Sequence, residues 1–560
     1  MHSHNTSSDH KPWLNSYPHD VPSTVDCDKY QNITEMFEAT FTKNADKAAF
    51  VNMGHSLSYR ELDDKATAFA AYLQVTLKMK KGDRIALMMP NLLQYPIAIL
   101  GALKAGLVVV NVNPLYTPRE LQHQLRDSGA KAIVAVTNFG NNLQKVISKT
   151  SLEHVILTRI GDELAPYKRT LVNFAVKYVK KMVPKYNLPG AISFKRALTQ
   201  GKNLAFIPPE ISNSDLAYLQ YTGGTTGLAK GAMLTHRNII ANVLQVNGHF
   251  LPRTLGENEH AVTPLPLYHI FANSVSMMLI MYFGGTNLLI TNPRDLDSFV
   301  SDLKSYPFTM MFGLNTLFNG LNNHAGFRSL DFSSANFTIA GGMATQKHVA
   351  DEWQKITGMP IIEGYGLTEC SPVVAGGVHT QQSFVPSIGV PLPSTELRVV
   401  DPEGNPLATG EIGEIQIRGA QVMKGYWQQE LESKEVMKAD GWISSGDIGR
   451  MDEQGFFFIE DRKKDMILVS GFNVFPTEIE EVATLHPKIV EAAAIGINDD
   501  IAGERVKLFV VANGHVTIDD IKKHCRQHLT GYKIPKIIEF RDELPKTNVG
   551  KILRRELRES

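Results

Sequence analysis

Apolar residues recur at helical spacing at Leu62, Ala66, Phe69, Leu73 and Leu77, which is one face of a helix. Ser58 followed by Glu61 supplies a capping box for its start. Lys81-Gly82-Asp83 ends it, and RIALMM is the buried strand that follows, stopped by Pro90. The alternation repeats beyond Val108. Pro114 marks a turn, Thr117-Pro118 with Glu120 behind it opens a helix, Gly129 closes that helix, and AKAIVAV is the next strand. Helices alternating with apolar strands predict layered α/β sheets.

From Ile388 the pattern changes to short alternating runs broken by Asp-Pro, Gly-Asn and Gly-Glu turns, which predicts a small β-rich subdomain over 388–461. The charged run Asp461-Arg462-Lys463-Lys464-Asp465 follows as a hinge candidate. After it, Pro476 opens a helix through Leu485 and EAAAIGI is strand-like, so 462–560 reads as a small α+β domain. At the other end, 1–30 reads as a polar, loosely ordered extension. With 560 residues, at least two domains are expected.

One stretch bears on membrane crossing. Ile270 to Ile290 carries no charged side chain, nearly enough to span a bilayer. Gly284-Gly285 interrupts it and Asn273, Ser274 and Ser276 dilute it, so the reading is a buried helix followed by a core strand. Lys plus Arg and Asp plus Glu both number 57, a net charge of zero that gives no support to nucleic-acid binding. The three cysteines, Cys27, Cys370 and Cys525, have neither disulfide-framework nor metal-ligand spacing. They fit a reducing interior. The first residues do not form a signal peptide. A cytoplasmic protein, with peripheral contact at the cytoplasmic face of the membrane left open, is therefore expected.

The most specific local signal is the run from Tyr221 to Gly231, YTGGTTGLAKG. It follows the strand-like LAYLQ. Glycines at 223, 224 and 227 free backbone N–H groups to face an anion; Thr222, Thr225 and Thr226 add hydroxyls; Lys230 adds a positive charge. Together they suit a polyphosphate. Neither the Walker A pattern nor the dinucleotide fingerprint is matched.

That loop resembles the signature of the adenylate-forming superfamily, which includes acyl-CoA synthetases, luciferases and peptide-synthetase adenylation domains. Five further blocks stand in the family's order: PLYHIF at 266–271, GYGLTE at 364–369, SGDIG at 445–449, DRKKDMILVSGFNVFPTEIE at 461–480 and PKTNVGKILRR at 545–555. ITNPRD at 290–295, DFSS at 331–334 and RDELPK at 541–546 resemble bacterial long-chain fatty-acid–CoA ligases in particular. The resemblance implies an AMP-binding adenylation domain over 31–461 and a mobile C-terminal domain over 462–560 that carries the adenylation lysine.

It also implies roles. Thr368 touches phosphate, while Glu369, with Thr225, holds Mg²⁺, an ion that favours oxygen ligands and offsets charge between two anions. Tyr365 stacks on adenine beside Gly366, with Gly341 and Gly342 lining the opposite side. Asp447 accepts both ribose hydroxyls, as a carboxylate can, and Arg462 adds a second ribose contact. Lys551 bridges the carboxylate and the α-phosphate during transfer. His269 positions the substrate carboxylate, which is already ionised and needs no base. Lys464 stands at the hinge, and Ser470, Gly471 and Phe472 help build the coenzyme A tunnel after rotation. A tryptophan gate known in one branch of the family is replaced here by Asn273.

The expected reaction joins a long-chain fatty acid to CoA through an acyl-adenylate, using ATP and Mg²⁺. Phe308, Met310, Met311, Phe312, Leu314 and Phe318 are candidates for the acyl tunnel, with an ordinary core as the alternative for each. A homodimer is common in related ligases. Other readings stay open at this point: another acid, or a carrier-protein thiol as acceptor; a luciferase-like oxygenase; and a catalytically silent binder of ATP or acyl groups.

Overall fold

The computed structural model describes residues 11–222, 229–250, 258–470, 472–499, 502–547 and 550–558. Its backbone follows the hydrophobic pattern closely. Ser58 caps the helix Tyr59–Ala71 in a full capping box with Glu61. Thr117 and Glu120 do the same for Pro118–Ser128, which ends on Gly129 in the left-handed region. The uncharged stretch becomes a π-helical segment, Ala272–Met278, running into the helix Leu279–Phe283, and then the strand Thr286–Leu289. Gly284, at φ +84°, makes the break between them. Among the described residues, no helix is long and apolar enough to cross a membrane.

Four sheets organise the chain. The first has seven strands, Ile192–Ser193, His154–Thr158, Ala132–Val136, Arg84–Met88, Val108–Asn111, Leu216–Thr222 and Lys230–Thr235, parallel except for the last pair. The second has nine and is parallel through its centre, where Thr286–Leu289, His260–Thr263, Met310–Gly313, Phe337–Gly341 and Ile361–Gly366 lie side by side. Helix Gln94–Lys104 is buried on every side up to Leu103 and shares one hydrophobic core with residues of both large sheets.

The β-rich segment is a four-stranded antiparallel sheet, Thr395–Val400, Gly413–Gly419, Ile443–Met451 and Phe457–Arg462. The last sheet, built from Phe472–Val474, Ile467–Val469, Gly503–Ala512, Ile489–Asp499 and Ile537–Phe540, has its own core with helices Pro476–Thr484 and Ile518–His528. All three cysteines are buried and free.

The start of the chain differs from expectation. Residues 11–30 are not loose. Trp13 is 5% exposed and meets Phe457 with ring centroids 6.3 Å apart. The Tyr17 hydroxyl donates to the Pro391 carbonyl at 2.6 Å. A Cβ on Gly455 would come within 2.3 Å of the Trp13 backbone, so glycine there admits the arm. A polar sequence hid one large aromatic anchor, and that anchor ties the arm to the β-rich sheet. Trp13→Ala is expected to cost about 3 kcal/mol, seen as a clear fall in thermal midpoint. An arm that contributes nothing would leave the midpoint unchanged.

Candidate active site

The carboxyl ends of the central parallel strands deliver the family-like residues to one cleft, the place where open α/β sheets bind ligands. Tyr365 and Gly366 end the strand Ile361–Gly366, and Thr368 and Glu369 sit on the short 3₁₀ turn after it. Gly341 ends the adjacent strand. Asp447 lies on Ile443–Met451, opposite Arg462 in register.

Asp447 is the anchor. It is 2% exposed. Arg462 Nε lies 2.8 Å from its Oδ1, and the Tyr365 hydroxyl donates to its Oδ2. Burial lifts the Asp447 carboxyl above its ordinary range, and Arg462, then the Tyr365 hydrogen bond, oppose that. The tyrosine expected against adenine is therefore fixed by the aspartate expected on ribose.

Glu369 is set by a residue the sequence reading missed. The Tyr426 hydroxyl donates to Glu369 Oε1 at 2.7 Å, and the Lys230 ammonium lies 5.3 Å from the centre of the Tyr426 ring. Tyr426 reaches this position because residues 424–427 run along the strand Lys230–Thr235: Lys424 N–H donates to the Met233 carbonyl, and Trp427 N–H to that of Gly231. The GYW run at 425–427 was its only local signal. Thr222 pairs with Lys230 between the antiparallel strands Leu216–Thr222 and Lys230–Thr235. Gly223, Gly224, Thr225, Thr226 and Gly227 lie outside the described residues.

The glycines divide by cause. A Cβ on Gly341 would come 3.1 Å from the Phe271 ring and 3.3 Å from the Gly364 carbonyl, a tight fit within the chain, whereas Gly342 faces open space and needs glycine for its φ of +87°. Gly366 is tighter still. A Cβ there would fall 2.0 Å from the Pro372 carbonyl, so the chain's own packing, with no ligand needed, demands glycine.

Lys551 arrives from the C-terminal segment. Its carbonyl accepts from Thr547 N–H at 2.7 Å and its N–H donates to Thr547 Oγ1 at 3.1 Å, which shapes a tight loop. A Cβ on Gly550, at φ +82°, would meet Thr316 Oγ1 at 2.8 Å, so this loop rests on the segment after strand Met310–Gly313. By its accessible surface Lys551 is exposed, although its ammonium end stands among the charged groups of the site. Even so, lost hydration in the cleft and then Arg462, with Lys464 adding, outweigh Asp447 and Glu369 and lower its pKa to about 8. The basic neighbours are not a free surface: Lys546 pairs with Glu491, and Arg554 holds Glu480 at 2.8 Å and Asp465 at 3.3 Å. His269 is close enough for Lys551 to affect it. Burial, then Lys551, lower its pKa to about 4. Its Nδ1 accepts from Phe271 N–H at 3.3 Å, so the neutral ring carries its proton on Nε2.

Around the expected hinge residue, Lys463 N–H donates to the Gly446 carbonyl at 3.0 Å and its ammonium pairs with Glu414 at 3.0 Å. Asp465, two residues on, is held by Arg554 and Arg558. Lys464 stands between these two attachments, exposed and with its pKa lowered first by lost hydration and then by Arg462. Ser470 and Phe472 are not gathered with Asp447. Ser470 has a positive φ of 51° and Phe472 stacks on Tyr532 at 4.8 Å. Gly471 lies outside the described residues.

The acyl candidates also separate. Met310, Phe312 and Leu314 join the core shared with Phe271, and Phe312 meets Phe271 edge-on at 6.5 Å. Phe308, Met311 and Phe318 belong to a different core with Trp353. Alternation along one strand sends neighbours to opposite faces of the sheet. Asn273 is fully buried, donating to the Leu267 carbonyl at 3.2 Å.

Comparison with known proteins decides the relationship. Residues 37–427 match the model of the AMP-binding enzyme family, and residues 478–551 match that of the AMP-binding enzyme C-terminal domain. The chain belongs to the AMP-binding enzyme family. It is 56% identical over 550 residues to a long-chain-fatty-acid–CoA ligase of Yersinia pestis, covering 98% of both chains. It is 36% identical to one of Bacillus subtilis, again over 98% of each. Among solved structures, ATP-bound MatB from Rhodopseudomonas palustris superposes with a TM-score of 0.81 at 28% identity, covering 94% of this chain and 98% of that one. The apo form of the same protein gives 0.71 over the same coverage.

Two outcomes test this geometry. Deprotonation of Lys551 removes the charge it brings, so kcat/KM for ATP in acyl-adenylate formation is expected to fall as pH rises through about 8. Lys551→Arg, whose guanidinium stays protonated, is expected to lose that basic limb. Gly550→Ala strains a left-handed residue and crowds Thr316. It is expected to slow adenylation by about tenfold and to spare transfer to the thiol, both read by quenched-flow product analysis.

Proposed function

We propose that this protein activates long-chain fatty acids in two steps, forming an acyl-adenylate from ATP and passing the acyl group to coenzyme A. The observation that carries this reading is the convergence of Asp447, Tyr365, Glu369 and Lys551, from two separate sheets and the C-terminal segment, on one cleft, in a chain so similar to long-chain ligases over nearly its full length.

In the first step a carboxylate oxygen attacks the α-phosphorus of ATP and pyrophosphate leaves. Asp447, Tyr365 and Arg462 hold the nucleoside, with Gly341 and Gly342 lining its opposite side. Lys551 stands where negative charge grows on the transferring phosphoryl group, and an ammonium there lowers the barrier. His269, neutral at physiological pH, orients the acid through its Nε2 proton. The glycine loop, with Thr222 and Lys230 at its base, cradles the phosphates. Glu369 fits a role in holding Mg²⁺: Tyr426 binds one of its oxygens, and among the described residues the other accepts no hydrogen bond. Mg²⁺ takes one or two carboxylates and completes its shell with substrate phosphate and water. Mg²⁺ would screen the charge between carboxylate and triphosphate.

In the second step the CoA sulfur attacks the acyl carbonyl carbon and AMP leaves. The adenylation domain, 31–461, stays in place while 462–560 rotates about Lys464, withdrawing Lys551 and bringing the 470–472 loop toward the cleft. Met310, Phe312 and Leu314 line the acyl path beside Phe271. Each buried methylene adds up to about 0.8 kcal/mol, so a deep apolar path favours long chains without new chemistry. Transfer to a carrier-protein thiol is the second reading, since the nucleotide machinery would be the same.

Palmitate, octanoate and benzoate, each with ATP-Mg²⁺ and with or without CoA, test the assignment. Palmitoyl-CoA is expected to dominate, with palmitoyl-AMP accumulating when CoA is withheld. Acyl-AMP without any acyl-CoA would point to another acceptor, and a preference for benzoate would overturn the acyl-chain assignment. Lys464→Pro, which fixes φ and removes an N–H, is expected to slow thioester formation by about tenfold or more while leaving acyl-AMP formation near wild type, read in separate half-reaction assays.

A further inference from the structure

Residues 166–185 run PYKRTLVNFAVKYVKKMVPK. They form the helix Pro166–Phe174 and a π-helical turn, Ala175–Val179, that continues it. No residue of either is buried. Tyr167 is 78% exposed, Leu171 67%, Phe174 57%, Tyr178 58% and Met182 51%. The spacing of four, three and four residues from Tyr167 to Tyr178 puts those four on one face; Met182 follows beyond the helix end, after Lys181 at a positive φ of 50°. The Phe174 and Tyr178 rings lie 5.1 Å apart on that face.

The opposite face is attached to the protein. Asn173 accepts from Gly161 N–H at 2.9 Å and donates to Asp162 at 3.0 Å, and the Lys168 ammonium donates to the Met53 carbonyl. The exposed face is therefore held outward by defined bonds. A continuous apolar stripe of this kind marks an interaction surface.

Charge selects the partner. The segment carries Lys168, Arg169, Lys177, Lys180, Lys181 and Lys185 and no carboxylate. Its end is seated on the helix Gly140–Val146, where Asn187 N–H donates to the Gln144 side chain at 2.6 Å. That helix borders a cleft of about 430 Å³ whose lining includes Arg119, Arg126, Lys145 and Lys149 and no carboxylate. A second copy meeting this surface about a twofold axis would set cations against cations. An apolar stripe flanked by lysines instead fits an anionic lipid surface, with aromatic and aliphatic side chains at the acyl boundary and ammonium groups among the phosphates.

We propose that the 166–182 stripe docks this protein on anionic bilayers, flat along the surface, so that acid is taken directly from the membrane in which it partitions. The proposal rests on the long-chain reading of the site and names the element that serves it.

The test is co-sedimentation of the full chain with vesicles of phosphatidylcholine alone or with 30 mol% phosphatidylglycerol, at low and high salt. Wild type is expected to bind the anionic vesicles at least tenfold better than the neutral ones, and to be released by salt. The exposed double variant Leu171→Glu/Phe174→Glu, and separately Lys177→Glu/Lys180→Glu/Lys181→Glu, are expected to lose at least tenfold in vesicle binding. Both are expected to keep wild-type turnover of a monomeric, water-soluble acid, which shows that they fold. Palmitate turnover without vesicles reports the long-chain reading separately. Wild type that ignores anionic vesicles, or binding that both variants retain, would overturn the proposal whatever the palmitate result. Self-association of wild type that Leu171→Glu/Phe174→Glu abolishes, without lipid binding, would make the stripe a contact between copies and overturn it equally.

Discussion

The site depends on one buried carboxylate surrounded by more positive than negative charge. Asp447 is almost sealed from water, yet it is held by Arg462 and Tyr365 and lies within electrostatic reach of Lys464 and Lys551. A buried carboxylate without such partners would take up a proton. With them it can stay charged, orient a tyrosine ring and an arginine, and leave the cleft with cations in excess. Such a cleft is prepared for a polyanion before one arrives. The lowered pKa of Lys551 comes first from lost hydration and then from Arg462 and Lys464, so its ammonium is less stable here until a negative group joins it.

The large sheets make this arrangement possible by bringing distant chain segments to the same end of parallel strands. Gly341, Tyr365 and Glu369 come from neighbouring connections, Asp447 from the β-rich sheet, and Lys551 from the far end of the chain. The lysine loop touches the large domain at Thr316, while Arg554 and Arg558, only a few residues later, grip Asp465 just past the hinge. Lys551 thus sits between a contact with the large domain and ion pairs within the C-terminal segment, an arrangement that the proposed delivery and removal of its charge would use.

Much of the fold was legible because its signals are local. Ser58 with Glu61, Thr117 with Glu120, Gly129 and Gly284 each act within a few residues, and the structure uses them as read. The chemistry was legible because ordered blocks of sequence resemble a family. What escaped the reading depends on contacts across the fold. Trp13 looks like part of a polar arm until it reaches Phe457. Tyr426 gains meaning only when a strand carries it beside Glu369. Met311 and Phe312 are adjacent apolar residues in sequence, but the pleat sends them to different cores. The exposed stripe at 166–182 has an amphipathic period that sequence alone would assign to packing, and only its lack of burial reveals an outward face.

One ammonium, that of Lys551, is proposed to serve the first step and to be absent from the second. Replacing Lys551 with alanine and measuring each half-reaction separately tests it most directly. Acyl-AMP formation from ATP and palmitate is expected to fall by about 10²–10³-fold, while thioester formation from supplied palmitoyl-AMP and CoA stays near wild type. Equal loss in both half-reactions would contradict the claim, because it would place Lys551 in the binding or folding of the site as a whole.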